Sequence, residues 1–358
     1  GEVPFDSTMI NGMVLDENRE KMSKSKGNVV EPDAVMEKYP VDAARYWAAG
    51  SAIGDDLPYQ EKGLRAGEKL IRKIWNASKL VASLAPEPYP EAPEDEDLRA
   101  LDRWMLAELD REIDRLTERL ENREFSKARD GLRSFFWGTF CDDYLEIAKE
   151  REDASAAYTL RTAHRRFLAL FAPFLAHVTE ELWHDMYAEG ADGDAADSVH
   201  LADWPTPLGI EADLDGGAAA ITVVGALRRY KSKNQLPLNA ELEAVEVYAD
   251  VRGFEEDVTG VMHVEDLTVH PDAEAPVETV VSGIDLDYAT VGPKYGDQVS
   301  EIEGALAQGE YEIDGDELRV AGVTLVDGEF SVEEQRRYEG DGTFLEADDV
   351  VVIVRDDP

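Results

Sequence analysis

Apolar residues recur three and four positions apart through most of residues 61–188, which is the period of an amphipathic helix. In "EKGLRAGEKLIRKIWNASKLV", Leu64, Ile71, Ile74, Trp75 and Leu80 suit one buried stripe. The proline-rich acidic stretch "APEPYPEAPEDED" then breaks the chain, because each proline blocks helix continuation. Three more helical stretches follow: "LRALDRWMLAELDREIDRLTERLE", "EFSKARDGLRSFFWGTFCDDYLEIAKER" and "AAYTLRTAHRRFLALFAPFLAHVTEELWHDMY". In the last, Phe167, Phe171, Phe174, Val178 and Leu182 fall at helical spacing and predict the core of a bundle, with Pro173 interrupting the helix. The Gly/Asp/Pro-rich "EGADGDAADSVHLADWPTPLG" closes this region.

The flanks read differently. Residues 1–60 mix an extended stretch, "NGMVLDENRE", with a helix that begins near "EPDAVMEKY", where Pro32 fits a first turn and Asp33 the positive helix end. Beyond the bundle, "GGAAAITVVGALRRYKSKNQL" predicts a helix. Short β patterns follow in "LEAVEVYAD", "VEDLTVH", "DELRVAGVTLVD" and "DVVVIVRD", with an Asp-Gly hairpin signal in "YEIDGDELRV". "GPKYGDQVSEIEGALAQ" predicts a loop followed by a helix, and no internal repeat stands out. The pattern divides the chain into 1–60, a helical region 61–209 and an α+β region 210–358.

Charge adds a constraint. Asp and Glu number 78 against 36 Lys and Arg, a net charge of -42 spread over all regions rather than gathered in a tail. Amphipathic segments persist throughout, which excludes a disordered acidic tail. Dispersed self-repulsion of this size is tolerable where charge is strongly screened, so the composition predicts a protein of concentrated salt rather than a binder of cationic partners. The single cysteine, Cys141, rules out an internal disulfide and fits a reducing cytoplasm, and the lack of a Cys-x-x-Cys pair removes the usual zinc ribbon. No apolar run reaches membrane-spanning length. The chain opens on Gly1 in mid-pattern, and the expectation is the C-terminal part of something larger.

Against this acidic background "REKMSKSKGN" sets Lys21, Lys24 and Lys26 on a Ser/Gly loop just before a helix. Ammonium groups on such a loop suit a polyphosphate, and Ser23 and Ser25 add hydroxyl donors. The spacing of a Walker loop is absent, and a plain solvated basic loop is the alternative. "KMSKSKGN" resembles in full the signature loop of the class I aminoacyl-tRNA synthetases. The next segment, "VVEPDAVMEKYPVDAARYWAAGSAIGDD", resembles their stem-contact segment. "IRKIWNASKLV", "FCDDYLEIAKER", "APFLAHVTEELW" and "SVHLADWP" resemble successive parts of their anticodon-binding bundle, so the likeness covers residues 1 to about 205. "GSAIGDDLPYQEK" and "KIWNAS" are most similar to archaeal enzymes for valine, whereas "DYATVGPKYGDQVSEIEGAL" is similar to a segment of isoleucine enzymes and keeps isoleucine as the alternative, with leucine further off.

The resemblance implies a multidomain protein: the end of a Rossmann-type α/β catalytic domain with its stem-contact segment (1–60), an α-helical anticodon-binding bundle (61–209) and a small α+β domain (210–358). It implies joining valine to ATP with release of pyrophosphate, then transfer to tRNA(Val). Lys24 and Lys21 would be catalytic, Ser23 and Ser25 would share the ATP/pyrophosphate site, and Lys26 would be peripheral. ATP enters as substrate with Mg2+, no tightly bound cofactor or metal is expected in the chain, and a cytoplasmic monomer is expected. A His-Ile-Gly-His-like ATP motif, an amino-acid pocket and an editing domain are not found in the sequence, so the chain alone is expected to bind tRNA without activating valine. A non-catalytic tRNA-binding module derived from such an enzyme is the alternative.

Two further basic clusters are candidates for tRNA phosphates. Lys62, Arg65, Lys69, Arg72, Lys73 and Lys79 lie at helical spacing mostly away from the apolar stripe, with Glu61 and Glu68 near enough to make them an ordinary solvated face. "RRYKSK" supplies Arg228, Arg229, Lys231 and Lys233. His177, Glu181 and His184 approach one helical face, but no second Glu-x-x-His accompanies them, so packing is the better reading than metal. Cys141 reads as a small core residue.

Overall fold

The computed structural model describes residues 7–86, 93, 97–151, 153–187 and 197–355. The proline-rich stretch and most of the acidic loop before residue 197 lie outside the described residues.

In the first region the described residues form a parallel pair, β1 (Val14–Leu15) with β2 (Leu57–Pro58), and the helices α1 (Pro32–Met36) and α2 (Val41–Ala48) between them. Pro32 and Asp33 sit in the first turn of α1, as their chemistry predicts. Buried Asp42 of α2 accepts the backbone N–H groups of His177 (3.1 Å) and Val178 (2.8 Å) and bonds His177 Nδ1 at 2.9 Å. These amides open a later helix that has no cap of its own, so one carboxylate fastens the first region to the bundle.

The bundle comprises α3 (Glu61–Leu84), α4 (Ala100–Glu121), α5 (Phe125–Phe135), a π-helical segment (Phe136–Tyr144), α6 (Leu145–Ala148), α7 (Ala154–Phe171) and α8 (Ala176–Met186). The buried face of α3 is Leu64, Gly67, Leu70, Ile74, Ala77, Ser78 and Val81, while the predicted Ile71, Trp75 and Leu80 are only partly buried beside it. Pro173 separates α7 from α8 as expected. The π-helical segment was not foreseen. Its wider turn sends Phe136, Phe140, Cys141 and Tyr144 inward, where Phe136 and Phe140 meet the Phe167 ring at centroid distances of 5.1 and 4.8 Å. Burial pushes the Cys141 thiol up to about 12, which keeps it an inert core residue.

Two polar clusters lie inside this core. Asp102 of α4, fully buried, accepts both guanidinium ends of Arg151 (2.9 and 2.7 Å), the Tyr144 hydroxyl (2.5 Å) and the Ser155 hydroxyl. The second is His164. The Ser78 hydroxyl donates to the Ile74 carbonyl, so Nε2 of His164 donates to Ser78 at 2.8 Å and Nδ1 accepts from Tyr187 at 2.7 Å. Burial, with the Arg161 charge, lowers the His164 pKa from 6.5 to about 3. Between those values the unfolded chain takes up a proton that the folded chain refuses, so stability falls as pH drops below 6.5. We expect a loss of about 2 kcal/mol from this group between pH 7.5 and 5. Urea titrations of the parent and of His164→Gln measure it: the variant should show a correspondingly flatter dependence, and parallel pH curves would contradict the assignment.

After the bundle come α9 (Leu214–Lys233), β3 (Leu242–Tyr248), α10 (Glu255–Met262) and β4 (Val264–Val269). Next are β5 (Glu278–Leu286), α11 (Tyr288–Tyr295), α12 (Val299–Ala307), β6 (Tyr311–Asp314), β7 (Glu317–Val320), β8 (Val323–Leu325), β9 (Phe330–Arg337), β10 (Thr343–Ala347) and β11 (Val350–Arg355). Strands run in the order β10-β11-β3-β4, with β3 and β4 parallel and joined through α10. The division expected at residues 209/210 falls within a continuous core. Apolar residues of α9, β3 and β11 belong to the same cluster as the bundle. The Trp104 indole donates to the Leu214 carbonyl at 3.2 Å, and Gly217 lies so close to that ring that an added Cβ would stand 2.1 Å from it. The separate body within this region is smaller. Leu286, Val291, Ile302, Leu318, Val320 and Leu325 form a second core, reached along the antiparallel ribbon of β5 and β9. The Asp-Gly signal is the hairpin between β6 and β7, with Gly315 at φ +60°.

Candidate active-site loop and nucleic-acid interface

The lysine loop hangs from two side chains. Asp16 directly follows β1 and is buried; its carboxylate accepts the backbone N–H groups of Asn18 (3.0 Å) and Glu20 (2.8 Å) and the Asn28 side-chain amide (2.7 Å). Asn28 in turn accepts the Ser23 N–H at 2.8 Å and donates to the Lys21 carbonyl at 3.3 Å. The amide of Asn28 and the backbone N–H of Glu20 hold the Asp16 carboxyl below the usual range. Gly27, at φ +70°, closes the turn by donating to the Ser23 carbonyl at 3.1 Å. Residues that read as solvent-loving turn formers are therefore a brace.

The brace leaves the lysines unequal. Lys26 pairs with Glu20 at 3.2 Å. Lys21 and Lys24 are exposed and form no ion pair among the described residues. The hydroxyls of Ser23 and Ser25 lie 2.8 Å apart. In a chain of net charge -42, two uncompensated ammonium groups on a fixed turn form a local site for anionic oxygens. Among the described residues no group of three or more His, Cys, Asp or Glu could hold a metal ion. His177 pairs with Asp42 at 2.9 Å and His184 with Glu180 at 3.2 Å, so the His177, Glu181 and His184 trio does not converge.

The basic cluster on α3 divides too. Arg65 pairs with Glu61 at 3.1 Å, Arg72 with Glu68 at 2.9 Å, and Lys73 with Asp142 at 2.7 Å, while Lys79 lies 5.6 Å over the Trp75 ring. Lys62 and Lys69 form no ion pair among the described residues. They line a groove of about 360 Å³ with Arg65, Arg133 and Trp137. Arg133 and Trp137 were missed by the sequence reading. Arg133 lies 5.6 Å over the Trp137 ring, a contact set by their spacing of four, and Lys73 reaches the same ring at 5.2 Å. The groove thus combines cations with an aromatic surface, the chemistry that holds a nucleic-acid backbone and its bases.

The cluster near residue 230 does not hold together. Lys231 is fully buried, and its ammonium donates to the carbonyls of Leu238 (2.8 Å), Ala240 (2.6 Å) and Met262 (2.7 Å). The expected phosphate contact at Lys231 is therefore corrected: the helical period turns this one lysine into the core, where it ties the chain after α9 to the end of α10. Arg228 is half-buried near Glu146, Asp143 and Glu150, and burial lowers its pKa. Arg229 and Lys233 remain exposed.

Residues 1–60 match the family described as tRNA synthetases class I (I, L, M and V), and residues 102–247 match the anticodon-binding domain of tRNA ligase. The valine–tRNA ligase of Haloarcula marismortui is 56% identical over 99% of this chain. The chain belongs to the class I tRNA synthetases. It spans 39% of the length of the Haloarcula protein. The valine–tRNA ligase of Methanothermobacter thermautotrophicus is 34% identical over 89% of the chain, which spans 38% of that protein. Among solved structures, the ternary complex of Agrobacterium radiobacter K84 LeuRS, tRNA and LeuAMS matches 56% of this chain and 24% of that one, at 22% identity and a TM-score of 0.44, too low a likeness to support a fold assignment. The anticodon-binding match runs past residue 210 to 247, in keeping with the core that joins α9 and β3 to the bundle of this synthetase chain. The dispersed acidity fits a relative from Haloarcula.

Proposed function

We propose that this chain is the part of a valine–tRNA ligase that closes on ATP and holds tRNA(Val). The observation that carries the reading is its 56% identity to the Haloarcula enzyme across almost the whole chain, loop and bundle together. The carboxylate of valine attacks the α-phosphorus of ATP, and pyrophosphate leaves with the electrons of the broken P–O bond. Lys24 and Lys21 stabilise the charge gathering on those oxygens, being exposed and without an ion pair among the described residues, while Lys26 is occupied by Glu20. Mg2+ supplies further charge neutralisation when bound with ATP. The groove of Lys62, Arg65, Lys69, Arg133 and Trp137 takes up tRNA phosphates, and Arg229 and Lys233 extend the contact. The reading is tested by whether the chain itself prefers tRNA(Val) to tRNA(Ile); preference for tRNA(Ile) would replace valine by isoleucine.

A further inference from the structure

A second cavity, of about 320 Å³, opens between α7, α8 and the segment after residue 200, on elements other than those of the α3 groove. Its wall includes Arg165, Arg166, Trp183, Leu201, Asp203 and Trp204. The Arg165 guanidinium lies 5.4 Å over the ring of the buried Trp183. Arg166 is half-buried; its Nε has no hydrogen-bond partner among the described residues, and one Nη reaches the Thr162 carbonyl only at 3.4 Å. Neither arginine forms an ion pair among the described residues, although acids outnumber bases more than twofold in this chain. The opposite wall is pinned in place. Trp204 donates its indole N–H to Thr117 at 2.8 Å, and the backbone N–H groups of Leu208 and Gly209 both donate to Asp110 at 2.8 Å. The cavity is concave and lined by two arginines, with flat side chains on both walls.

We propose that this cavity holds a single unpaired nucleotide of a bound RNA, its base stacked on the Arg165 plane and against Trp204, its phosphate facing Arg166. A guanidinium resting on an indole presents its other face to a planar ring, and such stacking tolerates any base. The volume, near the lower end of the roughly 300–1,000 Å³ of small-molecule sites, admits one nucleotide and no helix. Asp203 is exposed on the wall and the Asp110 charge acts on Arg166, but the Asp110 oxygens are taken by the Leu208 and Gly209 amides, so neither carboxylate fills the hydrogen-bonding capacity of the arginines. The proposal rests on the reading that the bundle binds RNA, and a free nucleotide would offer the same chemistry.

The test uses the whole chain in concentrated KCl, with three probes: the anticodon stem-loop of tRNA(Val), a blunt duplex of the same stem, and adenosine monophosphate. Arg165→Gln, Arg166→Gln and Leu201→Trp, the last blocking the mouth from an exposed position, are compared with the parent after thermal unfolding shows each folded. We expect Arg165→Gln and Leu201→Trp to weaken stem-loop binding about 5- to 150-fold, the worth of one stacked base, and Arg166→Gln to weaken it through the lost phosphate contact, with duplex binding unchanged for all three. Loss only of adenosine monophosphate binding would assign the site to a free nucleotide. Unchanged binding of all probes, or equal loss for stem-loop and duplex, overturns the proposal. If the parent binds no RNA, the tRNA reading fails instead, and the adenosine monophosphate titration alone decides the cavity.

Discussion

Lys24→Ala, placed in a protein carrying this chain in lieu of the matching segment of the Haloarcula marismortui enzyme, lowers valine-dependent pyrophosphate exchange by about 10²–10³-fold. That is the usual cost of removing one preorganised donor from developing charge. The loop supports the size of the effect because its shape does not depend on Lys24: Asp16, Asn28 and Gly27 make the turn, and the ammonium is a free occupant. Lys26→Ala should change the rate by less than about threefold, since it removes only an exposed pair with Glu20. Exchange rates with saturating valine measure both. Equal losses for the two variants would contradict the inequality read from the loop.

Arg151→Met removes about 3–5 kcal/mol of stability, read as a shift in the urea unfolding midpoint. Asp102 would keep the hydroxyls of Tyr144 and Ser155, but its charge, fully buried, would lose the cation that neutralises it. The loss spreads because Arg151 also binds Asp153, which caps α7, and lies 3.6 Å from Asp257 of α10. Removing both charges, in Asp102→Leu with Arg151→Met, should recover part of that loss, since an apolar pair leaves no buried charge unmatched. A single-variant loss below about 1 kcal/mol would mean that water reaches the pair.

What the sequence made legible follows from where one face is buried and the other is wet. The helices of the bundle and the strands β3 and β11 lie in one apolar core, so their periods show. Strands β5 and β9 are exposed along most of their length, and neither face of "FSVEEQRR" is consistently apolar. Such a ribbon has no alternation to read. The π-helical turn at Phe136–Tyr144 hid for another reason: a short run of mixed aromatic residues looks the same at a period of 3.6 or slightly more. The lysine loop was found by the order of its residues, yet its brace was not, because Asp16 lies outside the motif and touches Asn28 only through the fold. Lys231 is the converse case. Basic residues two and three positions apart read as one patch, but the helix points them in different directions, and only the contacts decide which one is buried.

The central claim is that loop and bundle belong to an enzyme for valine, and binding of intact tRNAs to this chain tests it most directly. Purified tRNA(Val) and tRNA(Ile) are titrated against the chain in molar KCl, where screening weakens non-specific phosphate attraction and leaves hydrogen bonds and shape to discriminate. The account predicts tighter binding of tRNA(Val), weakened by charge reversal at Lys62 and Lys69. Equal affinity, or tighter binding of tRNA(Ile), contradicts it.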